Sequence, residues 1–279
     1  MLGVMSDRSR LAHMPTPPPR AVLESFDAVG SPVPLAGGRG NAWRVGELVL
    51  RPIDDDEPPL DWQADLLGSI AGGDFRLSLP RRTVCGHFAC EGWCAWQFVE
   101  GSHEQRRWPE IIAVGELFHR ALADVPEPEL VGRRTDRWAV ADRVAWGEIP
   151  AEQFLHVEHL SELVAARQPL EAPRQLVHGD LTGNVLFAEG LTPAIIDFSP
   201  YWRPTAYPSA IVVADALVWE GADETLLDAV SHLPSFPQFL VRALIMRAVV
   251  DRLFREDEPG RADGDDPFGT AVEIACRLT

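Results

Sequence analysis

Three short β-type runs stand inside a half of the chain that otherwise reads as helix, and this island constrains the fold more than any other feature. Gln175-Leu-Val-His178, Val185-Leu-Phe187 and Pro193-Ala-Ile-Ile-Asp197 are short apolar stretches bounded by turn residues, the pattern of buried strands. Between the first two lies His178-Gly179-Asp180-Leu181-Thr182-Gly183-Asn184, the densest polar cluster of the sequence, and thirteen residues after Asn184 comes Asp197-Phe198-Ser199. Loops between buried strands present side chains from a rigid support. A purely helical bundle has no place for such an island.

The same residue types suit one chemistry. An aspartate, an asparagine and a second aspartate brought together can serve phosphoryl transfer, with Asp180 accepting or orienting a hydroxyl proton while Asn184 and Asp197 offer hard oxygen ligands to magnesium. The alternative is structural: His178-Gly179-Asp180 as a polar turn and Asp197 as a strand-end cap.

Elsewhere the texture changes once. Residues 1–20 carry three arginines and a proline run with no apolar stretch of a secretory signal, and are expected to be a disordered tail. Ala21 to Val99 reads as short strands punctuated by glycine and proline: Trp43-Arg44-Val45 and Leu48-Val49-Leu50-Arg51 form a hairpin, and strands resume near Phe75-Leu77, Phe88-Cys90 and Cys94-Val99. Trp62, Leu66, Leu67 and Ile70 predict a helix over 61–70. From residue 100 to 279 amphipathic helices dominate, one opened by Trp108-Pro109 and another predicted over 151–166.

Composition bounds the partners. The 279 residues are 46% hydrophobic and 24% charged, with a formal net charge of −17, which suits a soluble globular protein and argues against general binding to nucleic acid or anionic membranes. All 25 basic residues are arginine, so every mechanism that needs a lysine is excluded. Four cysteines and the lack of a membrane-length apolar run predict a cytoplasmic protein. Cys85, His87, Cys90 and Cys94 lack the paired spacing of a zinc site and read as strand residues.

Leu176-Val-His-Gly-Asp-Leu-Thr-Gly-Asn-Val-Leu-Phe187 and Ala194-Ile-Ile-Asp-Phe-Ser199 resemble the aminoglycoside phosphotransferase and choline-kinase-like family. The resemblance implies an α+β, two-lobed protein-kinase-like fold, with a small β-rich nucleotide-binding lobe over 21–99 and a larger helical catalytic and acceptor-binding lobe over 100–279. It makes Asp180 the catalytic base, Asn184 and Asp197 the metal ligands, His178 a packing residue of the loop, and Asp215 the aspartate that braces the loop from an apolar helix. It also implies ATP or another nucleoside triphosphate, and Mg2+, as cofactors.

This chain departs from the family pattern twice. Three residues separate Asp180 from Asn184 where the family usually has four, and the strand lysine that pairs with nucleotide phosphates is missing. Arg51 ends the corresponding strand, with Asp65, or Asp61 one turn earlier, as its expected helical partner; otherwise it is a strand-end arginine paired with Asp54-Asp55-Asp56. Arginine is a planar fork rather than a point charge, so it is no simple substitute. Gly37, Gly38, Arg39 and Gly40 would cover the phosphates, and Phe98-Val99-Glu100-Gly101, with Val99 at its centre, would be the hinge whose backbone meets adenine. Tyr201, Trp202 and Arg203 would face the substrate, or else fill the core.

The expected function is Mg-ATP-dependent phosphorylation of a hydroxyl on a small molecule, with no nucleic acid or membrane partner. A pseudokinase that binds nucleotide or a partner protein, and a kinase acting on a protein or peptide, are the competing readings.

Overall fold

The computed structural model describes residues 16–36, 40–70, 72–257 and 266–279. Along the chain come α1 (Arg20–Ser25), β1 (Val33–Pro34), β2 (Trp43–Val45), β3 (Leu48–Pro52), α2 (Leu60–Ser69), β4 (Arg76–Leu77), β5 (Pro80–Arg81), β6 (Ala89–Cys90) and β7 (Trp93–Gln97). There follow α3 (Trp108–Ala121), α4 (Glu129–Arg133), α5 (Arg137–Ala145), α6 (Leu160–Ala166), β8 (Gln175–His178), β9 (Val185–Leu186), β10 (Ala194–Ile195), β11 (Pro200–Arg203), α7 (Ala206–Trp219), α8 (Phe236–Asp257) and α9 (Gly269–Leu278). No helix among the described residues is long and apolar enough to cross a membrane.

Two compact units result. One takes the described residues of Met1–His103 together with Gly183–Asp197, the other Glu104–Thr182 with Phe198–Thr279. This differs from a single cut after residue 99, because the β9–β10 hairpin joins the N-terminal unit. β10 runs parallel to β4, with Ala194 opposite Arg76 and Ile195 opposite Leu77. Arg76 ties the joint further: its backbone N–H donates to Pro193 O at 2.8 Å and its Nε to Thr192 O at 2.8 Å. Two-residue strands cannot stand alone, so the hairpin is held where a third strand completes its ladder.

In the first unit β1-β2-β3-β7-β5 form an antiparallel sheet, with β6 paired to β7. The β2–β3 turn depends on Gly46, whose φ of +58° favours glycine and whose position leaves no room for a Cβ, since one would lie 2.6 Å from Val29 O. Val22 and Phe26 of α1 pack with Val45, Leu50 and Ala95 into a core. Of the tail expected over 1–20, residues 1–15 lie outside those described, whereas Pro18 is buried and Arg20 already opens α1.

The second unit is built around α7. Every residue from Ala206 to Val218 is buried, and a helix apolar all round belongs in a core. It packs on α8, which also packs on α5. The helix expected over 151–166 is shorter: 151–154 form a 3-10 turn and α6 starts only at Leu160. His159 before it takes a left-handed φ of +61°, which a continuous right-handed helix cannot contain.

Helix α3 is tied to the island through His119. Its Nε2 accepts the His178 backbone N–H at 3.1 Å, and Gln175 Nε2 donates to its carbonyl at 2.7 Å. Phe118, His178 and Phe198 pack edge to face around this joint. Burial, reinforced by the neighbouring His178, pushes the His119 imidazole down to about 3, so the ring is neutral in the fold. An unfolded chain takes up a proton near pH 6.5 that the native state takes up only near 3. Stability therefore falls as pH drops through that window, by at most about 1.4 kcal/mol per pH unit from this group. Replacing His119 with Gln, which keeps an acceptor but cannot protonate, is expected to flatten the thermal midpoint between pH 6 and pH 4; parallel slopes for variant and wild type would exclude this origin.

Candidate active site

In the first unit the β9–β10 hairpin brings two oxygen donors to one end. Val185 stands opposite Ile195, and the Ile196 N–H donates to Asn184 O at 3.0 Å, so Asn184 and Asp197 both lie at the same end of the ladder. Asp197 adopts a left-handed φ of +50°, and its side chain is 64% exposed. Asparagine and aspartate at one ladder end, with no soft ligand in the set, suit a hard divalent cation.

Arg51, at the end of β3 and opposite Cys94 of β7, reaches this pair. Its Nη2 lies 2.6 Å from Glu57 Oε2 and 3.6 Å from Asp197 Oδ1, and its Nη1 lies 3.5 Å from Asp54 Oδ2. Burial opposes the charge, but the Glu57 and Asp197 carboxylates outweigh it and hold the guanidinium protonated. Glu57 is fixed in turn, for its Oε1 accepts from Gln63 Nε2 at 2.9 Å. Gln63, buried on α2, also donates to Pro58 O.

The acidic partner of Arg51 is thus Glu57 rather than Asp65 or Asp61. Asp65 sits on the exposed face of α2, and Asp61 Oδ1 accepts the adjacent Trp62 N–H. Because α2 begins only at Leu60, the turn with Pro58 and Pro59 folds Glu57 back onto the strand end. Gly37, Gly38 and Arg39 lie outside the described residues, while Gly40 has a φ of +72°. Val99 is half-buried in a stretch anchored on both sides, by Phe98 N–H to Glu47 O at 2.8 Å and by Arg76 Nη2 to Glu100 O at 2.8 Å. Cys85 is exposed and burial pushes the Cys94 thiol up to about 11, and among the described residues Cys85, His87, Cys90 and Cys94 do not gather into a ligand cluster.

In the second unit Asp180 follows β8 and its side chain is 38% exposed. Its backbone N–H donates to Nδ1 of the buried His178 at 3.2 Å, and Leu181 beside it packs against Gly115 of α3. Asp215, alone among the apolar residues of α7, meets Arg247 of α8: Nε to Oδ1 and Nη2 to Oδ2, both 2.6 Å. The same Nη2 reaches Asp180 Oδ1 at 2.9 Å. Arg247 was not among the residues the sequence singled out, although a signal existed, because it is the lone charge of Ala243–Val250 just as Asp215 is in α7.

Tyr201-Trp202-Arg203 does not form an open substrate-facing segment. It is β11, antiparallel to β8, with Tyr201 opposite Val177 and Arg203 opposite Gln175. Strand alternation buries Tyr201 and Arg203 and leaves Trp202 half-buried. Tyr201 fills the space above Gly179, where a Cβ would lie 2.2 Å from its ring. Arg203 donates to Asp142 through Nε and Nη2, the latter at 2.5 Å, and to Glu148 through Nη1 at 2.7 Å. Its guanidinium is engaged in the interior and is not offered to a ligand.

A phosphotransferase enzyme family model matches residues 32–201, more than half of the chain. The protein belongs to the phosphotransferase enzyme family. As a family member it is similar in structure to a spectinomycin phosphotransferase crystallised with ADP and spectinomycin, at 17% identity over 88% of this chain and 92% of that one, with a TM-score of 0.57. Aminoglycoside phosphotransferase APH(4)-Ia matches at 17% identity over 92% and 97% of the two chains, with a TM-score of 0.57. The choline kinase LicA from Streptococcus pneumoniae matches at 11% identity over 92% and 96%, with a TM-score of 0.60. Identities this low show the fold, which is the kinase-like one expected from the sequence, β-rich at the N-terminal side and helical beyond it. No curated protein is similar in sequence to this phosphotransferase at a significant level.

The placement of Arg203 is testable by stability. Arg203→Met leaves the buried Asp142 carboxylate without its counter-ion, and the expected loss is about 3–5 kcal/mol in urea unfolding. An Arg203 that served only a ligand would leave the unfolding midpoint where it is.

Proposed function

We propose that this family member transfers the γ-phosphoryl group of MgATP to a hydroxyl of a small molecule. The carrying observation is that Asn184, bonded to Ile196, and the following Asp197 lie at one end of the β9–β10 hairpin, with the Arg51 guanidinium 3.6 Å from Asp197. In sequence Asp180 precedes Asn184 with only three residues between them.

The donor set fits magnesium by its chemistry, being oxygen throughout and partly open to solvent at Asp197. Asn184 and Asp197 would hold the ion. When bound, magnesium offsets negative charge on the nucleotide phosphates. The chain's own residues supply the rest. Arg51 directs fixed N–H groups toward anionic oxygen, and Glu57 with Gln63 keeps the fork from turning away. Asp180 accepts the proton of the acceptor hydroxyl through a carboxylate held in place by Arg247. Positioning and electrostatics carry most of the rate in such reactions, so the rigidity of these contacts matters as much as their charge.

Arg51 in place of a lysine, and the shortened run from Asp180 to Asn184, favour one other reading, a nucleotide-binding protein that transfers nothing. Thermal-shift titration with ATP, with and without magnesium, followed by γ-phosphate transfer to a library of hydroxyl compounds, separates the two. Asp180→Asn is expected to retain the magnesium-dependent shift and to lower transfer by about 10²–10⁴-fold. Glu57→Gln is expected to weaken MgATP binding by about tenfold, the loss of one charge-assisted contact behind Arg51, as read by calorimetry. A shift with no turnover on any acceptor would establish the silent reading, and no shift at all would remove both.

A further inference from the structure

Asp215, the lone charge of α7, and Arg247, the lone charge of the run Ala243–Val250 in α8, face each other in the second unit, and they use each other incompletely. Asp215 occupies α7 with both carboxylate oxygens bound by Arg247. The Arg247 side chain is 5% exposed, so neutralising Asp215 would be enough to account for its burial. Yet its Nη2 serves a second carboxylate, the Oδ1 of Asp180 at 2.9 Å, while the ring of Trp138 covers the guanidinium at 5.4 Å from Cζ. Arginine can do this because its N–H groups lie in one rigid plane and point in fixed directions. Burial works against the charge, and the Asp215 and Asp180 carboxylates outweigh it, so the guanidinium remains protonated.

We propose that Arg247 is a positioning residue of the phosphotransfer site: anchored by Asp215, it fixes the orientation of the Asp180 carboxylate that meets the acceptor hydroxyl. The proposal rests on the phosphotransfer reading of Asp180. The brace on the Asp180 carboxylate is then a side chain from α8, and Asp215 of α7 acts on that carboxylate through it. The Asp180 backbone N–H also donates to His178 Nδ1, which fixes the main chain at this position. Removing the Nη2 contact takes away a bond from a doubly anchored donor to the carboxylate without removing the base.

Two variants test this, because simple truncation would strand the buried Asp215 charge and unfold the protein. Arg247→Lys keeps a cation opposite Asp215 but lacks the fork. The double variant Arg247→Met with Asp215→Leu removes the buried pair and replaces it with apolar volume, a change that is often neutral to stability. In both, kcat for transfer, or for MgATP hydrolysis with water as acceptor, is expected to fall by about 10–100-fold while KM and Kd for MgATP stay within twofold. Crystal structures of both variants should show the Asp180 carboxylate turned from its present direction. A kcat within twofold of wild type in folded variants, or an unmoved carboxylate, overturns the proposal. If wild-type protein shows neither magnesium-dependent nucleotide binding nor turnover, the phosphotransfer reading fails by itself. The Asp180 orientation in the variant crystals then still decides whether Arg247 sets it.

Discussion

The contact on which the second unit depends is the buried ion pair of Asp215 and Arg247, which reaches out to the part-exposed Asp180. An acid within a helix as apolar as α7 is costly to bury unless a cation with matching geometry meets it, and Arg247 of α8 does so with two short bonds. That requirement fixes the register of α7 against α8, since sliding either helix by one residue would separate the charges. It also extends to the loop after β8, because Arg247 Nη2 donates to Asp180 as well. Core packing and loop geometry are therefore parts of one arrangement, and a change in the first is felt in the second.

The first unit solves a different problem with similar means. A chain without lysine must present cationic charge to phosphate through a guanidinium, and a guanidinium on a strand end has freedom to swing unless its fork is held. Glu57 and Gln63 hold it from the turn and helix that follow β3. The acid comes from the turn rather than from the face of α2 because two prolines delay the helix start and fold Glu57 back. Arg51 is left with a direction toward Asp197, the residue whose left-handed backbone carries it out of the hairpin.

How much was legible differs from element to element. The island strands, the β2–β3 hairpin, α2 and α3 follow from periodicity and turn residues alone, and the polar residues between the strands marked the candidate site. The helix over 151–166 was overread, since Leu155, Leu160, Leu163 and Val164 are spaced for a helix while His159 takes a conformation no helix accepts. For Tyr201 and Arg203 two readings stood open, facing a substrate or filling the core, and alternation along a strand paired to β8 buries both. The partners Asp142 and Glu148 make an interior arginine tolerable. Glu57 and Arg247 escaped notice because neither lies in a motif, and their roles exist only through what they touch.

By itself the sequence determined the class of fold, the position of the polar loop within it, and a chemistry that has arginine and never lysine. These are local properties, set by side-chain spacing over a few residues and by which atoms are present at all. Tertiary structure decided which acid holds Arg51, which cation answers Asp215, and that Gly183–Asp197 joins the N-terminal unit. Such choices are made between groups far apart in the chain, as Arg247 and Asp180 are at a separation of 67 residues. Many charges of the right sign compete for each partner, and only close packing, with its demand that every buried ion be met at hydrogen-bond distance, selects one.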